Sequence, residues 1–223
     1  MAVAFFETWF ADGLPPELAH WLNDGLRAAR LGGIADESFV VRFSGSGRRL
    51  GRAPVEIDDE TASRLAAAGA PFVPRGWGAD ELGRGLLLLA AAQASKEAAH
   101  FSNSVAELFR KGEMREQQAI LRVLAYLPDA GQYAELAADA VRSNVITVVE
   151  ALACENPFPA AYLSELAFNQ MVMKAVFNQI PLARVAGLAG RSNDELRRIA
   201  NSYASERRAA GRPVPDDLRL ILG

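Results

Sequence analysis

The stretch RSNVITVVEALACENPFPAAYLSELAFNQMVMKAVF, residues 142–177, decides the fold. Its apolar residues recur at helical spacing on both sides of Asn156-Pro157-Phe158-Pro159, so it reads as two helix patterns joined by a proline-marked elbow. The apolar faces are interrupted by Asn144, Glu150, Cys154, Asn156, Asn169, Gln170 and Lys174. An unpaired buried amide costs roughly 2–7 kcal/mol, so these groups either satisfy one another or line a site. On the second pattern Gln170, Lys174 and Asn178 share an i+4 stripe, with Leu166, Met173 and Phe177 on neighbouring core-type positions that box in Lys174. On the first, Asn144, Thr147, Ala151 and Cys154 share a line and Glu150 lies beside it. Folded antiparallel at the elbow, the two patterns bring Glu150 or Asn144 towards Gln170 or Lys174.

Two readings follow. In one, Glu150 pairs with Lys174 and the amides tie down the elbow's backbone. In the other, Lys174 anchors a ligand anion or, as a nucleophile, forms a Schiff base. Cys154 reads as a small buried hydrophobe, because no histidine is near it in sequence to activate its thiol.

Working outward, the same 3.6-residue period runs through most of the chain. Pro15-Pro16 opens a helix through Trp21, Leu22 and Leu26 that Gly32-Gly33 stops. Asp36 caps a shorter one through Phe39 and Phe43, where a strand is the alternative. Ser44 to Pro54, Gly-rich and flanked by Arg42, reads as a loop carrying Arg48, Arg49 and Arg52, either solvated or meeting an anion. It has no phosphate-loop pattern. Asp58–Ala68 and Leu82–Ala92 are further helices, separated by the turn Pro74-Arg75-Gly76-Trp77-Gly78, and Gly83 and Gly85 allow close packing of the second. Ser95–Arg110 and Glu113–Leu127 form a helical hairpin. One helix is expected from about Gln132 to Cys154 and another from about Ala160 to Gln179. Ser192 and Glu195 have the form of a capping box for the helix through Tyr203, and Asp216–Leu222 docks its leucines on the body. The expected fold is all-α: one domain over residues 1–223, built of stacked helical hairpins in an irregular, solenoid-like bundle.

Composition sets the bounds. Half of the 223 residues are hydrophobic, chiefly Ala and Leu, which favours helix over sheet. A net charge of −3 gives no global reason to expect nucleic acid, though a local basic patch is allowed, so none is expected as a partner. One cysteine excludes an internal disulfide, and the distant His20 and His100 lack metal-ligand spacing, so no metal or other cofactor is expected. Residues 1–7 do not read as a secretory signal and no apolar run is long enough to span a bilayer, so a cytoplasmic protein without a membrane span is the expectation. Hydrolase, dehydrogenase and kinase motifs are all missing.

Several of these residues together carry a resemblance. Asn156-Pro157-Phe158-Pro159, Asn169-Gln170-Met171 with Lys174 and Phe177, Gly76-Trp77, Arg49 with Gly51-Arg52-Ala53-Pro54, and Glu206-Arg207 with Gly211-Arg212-Pro213 resemble the EboA family over most of the chain after about Asp36. The resemblance implies a helical bacterial protein from a gene cluster that makes or moves a secondary metabolite. Its neighbours there resemble a membrane prenyltransferase, a sugar-phosphate cyclase, barrel-fold isomerases or hydrolases, and a phosphatase-like enzyme. It brings no catalytic residues with it.

The expected function is therefore a non-catalytic accessory or scaffold protein that binds an anionic small-molecule intermediate or a partner enzyme of the same cluster. The alternative is an enzyme acting on a phosphorylated or prenylated intermediate in a polar cleft around Lys174. The expected ligand site combines Arg49 and Arg52, on a loop over the cleft mouth, with Asn144, Glu150, Asn156, Asn169, Gln170 and Lys174. Tyr162 and Trp77 would supply its apolar wall.

Overall fold

The computed structural model describes residues 2–95 and 97–223. They are all-α, as expected: fourteen α-helices and several 3-10 turns, with two isolated backbone bridges and no strand among the described residues. The chain divides into two compact units, Met1–Tyr133 and Ala134–Gly223. Neighbouring helices pair within each, as the hairpin pattern predicts.

The first unit holds α1 (Ala2–Asp12), α2 (Pro16–Gly32), α3 (Glu37–Arg49), α4 (Asp59–Ala67), α5 (Ala79–Ala92), α6 (Ala98–Lys111) and α7 (Met114–Val123). Its centre is α5, buried from Ala79 through Ala91, with α2, α3 and α7 packed around it. Four consecutive leucines, Leu86 to Leu89, face inward on every side of the helix, and each contributes about 1.5–3 kcal/mol of burial. Gly83 makes room for Leu50, whose Cδ1 lies 2.2 Å from where a Cβ would stand.

Charges are buried at the start of α5. The Asp80 carboxylate accepts from Arg84 at 2.7 Å and from Arg115 Nε at 3.1 Å. Glu81 accepts from the Gly78 N–H at 2.8 Å and pairs with Arg115 and Arg122 at 3.4 and 3.2 Å. Arg84 Nε in turn donates to the Phe43 carbonyl at 2.9 Å, tying α3 to α5. Two carboxylates in the first turn complement the helix dipole, and the arginines satisfy them where water cannot.

Two expectations in this unit are corrected. Ser44–Pro54 is not a loop throughout, because α3 runs on to Arg49. Tertiary packing overrides the helix-breaking tendency of Gly45 and Gly47: Phe39, Phe43 and Ser46 are buried on one face, and the two phenyl rings stack at 5.5 Å. Asp36 does cap this helix, accepting from the Ser38 N–H at 2.8 Å, so the strand alternative at Phe39–Phe43 falls. Trp77 is not the wall of a site either. It is 2% exposed, with Phe72 and Tyr126 ring centroids 5.9 and 6.4 Å away.

The second unit holds α8 (Ala134–Val141), α9 (Ile146–Ala153), α10 (Phe158–Tyr162), α11 (Glu165–Phe177), α12 (Leu188–Arg191), α13 (Asp194–Ala209) and α14 (Arg219–Leu222). Both long helices expected here are broken. The one from Gln132 to Cys154 is interrupted at residues 142–145, where the carbonyl of Val141, the last residue of α8, and that of Ser143 beyond it accept from Lys174. The one from Ala160 to Gln179 is interrupted after Tyr162, and Ser164 restarts it by accepting from the Ala167 N–H at 3.2 Å. The capping box expected at Ser192 and Glu195 does not form, and the cap lies one residue further on. Asn193 is the cap, its Oδ1 accepting from Leu196 N–H at 2.9 Å, while Ser192 ends α12. In the tail Leu218 and Ile221 are buried and Leu220 is exposed.

Candidate functional site

The elbow is a structural joint. Asn156, 2% exposed, accepts from the Phe158 N–H at 3.0 Å and donates to the Ala151 carbonyl at 3.4 Å. Glu155 sits in the left-handed region at φ 49° and grips Arg184 through both carboxylate oxygens at 2.8 and 2.9 Å. Arg184 also pairs with Glu150. Arg191 donates to the carbonyls of Ala160 and Leu163 at 2.6 and 2.8 Å, with its guanidinium 4.7 Å from the Phe168 ring centroid. The expected Glu150–Lys174 pair is thus absent among the described residues, because Arg184 takes the carboxylate. Lys174 Nζ donates to the carbonyls of Val141 and Ser143 at 2.8 and 2.5 Å.

Beside this joint, α11 and α13 leave a groove of about 630 Å³, lined by Glu165, Leu166, Asn169, Gln170, Met173, Lys174, Phe177, Glu195 and Ile199. All of these belong to the second unit. The walls are mostly carbon. Leu166 and Phe177 were expected in the core by their spacing, yet they are 68% and 55% exposed and form the groove's flanks. Met173 is buried as its floor, and Tyr203 meets Phe177 edge-on at 5.0 Å.

Polar groups are few and placed. Asn169 and Asn193 exchange amide hydrogen bonds at 3.1 and 3.0 Å, which locks the start of α13 to the middle of α11. Gln170 is exposed in the groove. Lys174, one of the lining residues, has three N–H donors and gives two of them to carbonyls. At the rim Glu195 is paired with Arg198 at 2.7 Å, and that hydrogen bond holds its carboxyl below the ordinary range.

Of the eight residues expected to form the ligand site, Asn169, Gln170 and Lys174 line this groove. Asn156 and Glu150 serve the elbow. Asn144 is exposed in the turn between α8 and α9. Arg49 ends α3 and Arg52 follows it, both in the first unit. Sequence reasoning missed Asn193 and Arg191. Asn193 had a signal, since Asn followed by Asp and Glu is an N-cap sequence. Among the described residues no three His, Cys, Asp or Glu side chains cluster to hold a metal, and no helix is long and apolar enough to cross a membrane.

Fold and site together define an all-helical protein with a surface groove of small-molecule size. The chain belongs to the EboA family: it matches the family described as "Metabolite traffic protein EboA" over residues 2–223, essentially its whole length. No curated protein matches it, and no solved structure does.

Proposed function

We propose that this chain is a non-catalytic accessory protein of bacterial secondary-metabolite handling, working in the cytoplasm beside the enzymes of its cluster. It holds an amphipathic, anionic intermediate by that molecule's apolar part. The observation that carries this is the groove between α11 and α13, where Leu166, Met173, Phe177 and Ile199 supply a hydrocarbon wall. Leu166 and Phe177, 68% and 55% exposed, extend that wall into a contiguous apolar patch, the kind of surface that marks a ligand-binding groove. The family's description as a metabolite traffic protein agrees with a binding role. At one edge, the free amide of Gln170 and the third N–H of Lys174 are the handles for a phosphate or carboxylate.

An isoprenoid alcohol and its phosphate test this directly. Farnesol and farnesyl phosphate should displace Nile red from the protein in a fluorescence titration. Leu166→Ser with Phe177→Ser should weaken both by at least about fivefold, since two exposed apolar contacts are lost, and mass spectrometry should recover each ligand unchanged. Unaltered affinity in that variant would remove the groove from the proposal. Multiple turnovers of ligand by the pure protein would replace a carrier with an enzyme.

A further inference from the structure

A second surface, in the first unit, differs from the groove in character. Along α2 and α3, Trp21 and Val41 lie between two shallow depressions, one of about 580 Å³ bounded by Glu37, Ser38 and Arg42, the other of about 440 Å³ bounded by Gly45, Arg48 and Arg49. Val41 is 64% exposed, and its neighbour Val40 is exposed as well. The Arg42 guanidinium is fixed, donating to the Trp21 carbonyl at 2.7 Å and lying 5.6 Å from that ring's centroid. Arg48 and Arg49 close the helix, are exposed, and make no ion pair among the described residues. The lining thus holds three arginines against one carboxylate, in a protein whose net charge is −3.

The geometry points to this face as a docking surface for an anionic lipid bilayer. Charge complementarity selects the sign of the partner. An exposed valine, Val41, beside a tryptophan selects an interface with an apolar interior, which a free phosphate or a nucleic-acid backbone lacks. The depression lined by Trp21, Val41, Gly45 and the terminal arginines lets headgroups reach the guanidinium groups while Val41 enters the acyl boundary.

Sedimentation with vesicles tests the assignment. The full-length protein should pellet with equimolar phosphatidylglycerol and phosphatidylcholine at least about tenfold more than with phosphatidylcholine alone, and lose most of that binding above about 0.5 M salt. Arg48→Glu with Arg49→Glu should reduce it at least about tenfold. Val41→Asp, at a position too exposed to disturb the fold, should reduce it several-fold with an unchanged thermal melt, and the double charge reversal at the end of α3 should lower the melt only slightly. Equal partition of wild type onto neutral vesicles, undiminished binding of either variant, or full release by millimolar inorganic phosphate would overturn the inference.

Discussion

Lys174 Nζ lies 2.8 Å from the carbonyl oxygen of Val141, which makes a lysine of α11 the terminal cap of α8. A charged donor at a helix C-terminus meets both the orphan carbonyls and the negative end of the dipole. Lys174→Met should therefore cost about 1–3 kcal/mol in urea unfolding, because the Val141 and Ser143 carbonyls lose their partner. In the proposed groove it should also weaken farnesyl phosphate more than farnesol. Unchanged stability with equal loss of both ligands would contradict the assigned geometry.

Asp80 and Glu7 give opposite pH signatures. Burial pushes the Asp80 carboxyl up, but hydrogen bonds and charge from Arg115 and Arg84 outweigh it and hold the group below its ordinary 3.8. Its contribution is complete above that value and is lost as pH falls through the lower folded one. Asp80→Asn should cost about 3–5 kcal/mol near pH 7, because buried Arg84 loses its carboxylate partner and Arg115 is left with Glu81 alone, and the difference from wild type should shrink below pH 3.8.

Glu7 is raised above 4.5, chiefly by burial, with Arg30 opposing, and its Oε1 is buried without a hydrogen-bond partner. The folded state holds this proton more tightly than the unfolded state. Stability from Glu7 is therefore full below 4.5 and is lost as pH rises through the folded value. Glu7→Gln should raise Tm at pH 7 and leave it unchanged near pH 4. A lowered Tm at pH 7 would mean that the ion pair with Arg30 outweighs burial.

Gly187 opens α12 at φ 75°, and a Cβ there would stand 2.5 Å from the Cβ of Ala160. Gly187→Ala combines left-handed strain with a clash against backbone-anchored carbon, so it should destabilise by about 2–3 kcal/mol in urea. Gly83→Ala meets only the flexible end of Leu50 and should cost less. The reverse order would show that α10 yields to α12 more readily than this packing allows.

Helical period carried most of the fold because the stripes at Leu22 and Leu26, at Val105 and Phe109, and at Ile120 and Leu124 each match a face that is buried. What the period could not show was where a helix is cut by a distant partner. Lys174 ends α8 from more than thirty residues away, and no local pattern at Ser143 or Asn144 announces it. The glycines near Gly45 misled for the converse reason, since buried neighbours kept a poor helix sequence helical. Reading polar residues as one constellation located the joint correctly but joined the wrong partners. Arg184 lies outside residues 142–177, and it takes Glu150. Leu166 and Phe177 satisfied the core pattern and still face outward, because a stripe fixes a direction on a helix and says nothing of whether a second helix covers it.

The encirclement of α5 has a consequence for exchange with solvent. A helix buried from Ala79 through Ala91, with ionic contacts at its first turn, is held at its N-terminal end and meets solvent only beyond Ala91. Its amides should exchange with deuterium only when the whole first unit opens, and so share one rate that tracks denaturant as global unfolding does. That rate is a clock for the unit's integrity. A ligand that slows it stabilises the first unit, whereas one that protects only α11 and α13 reports the groove.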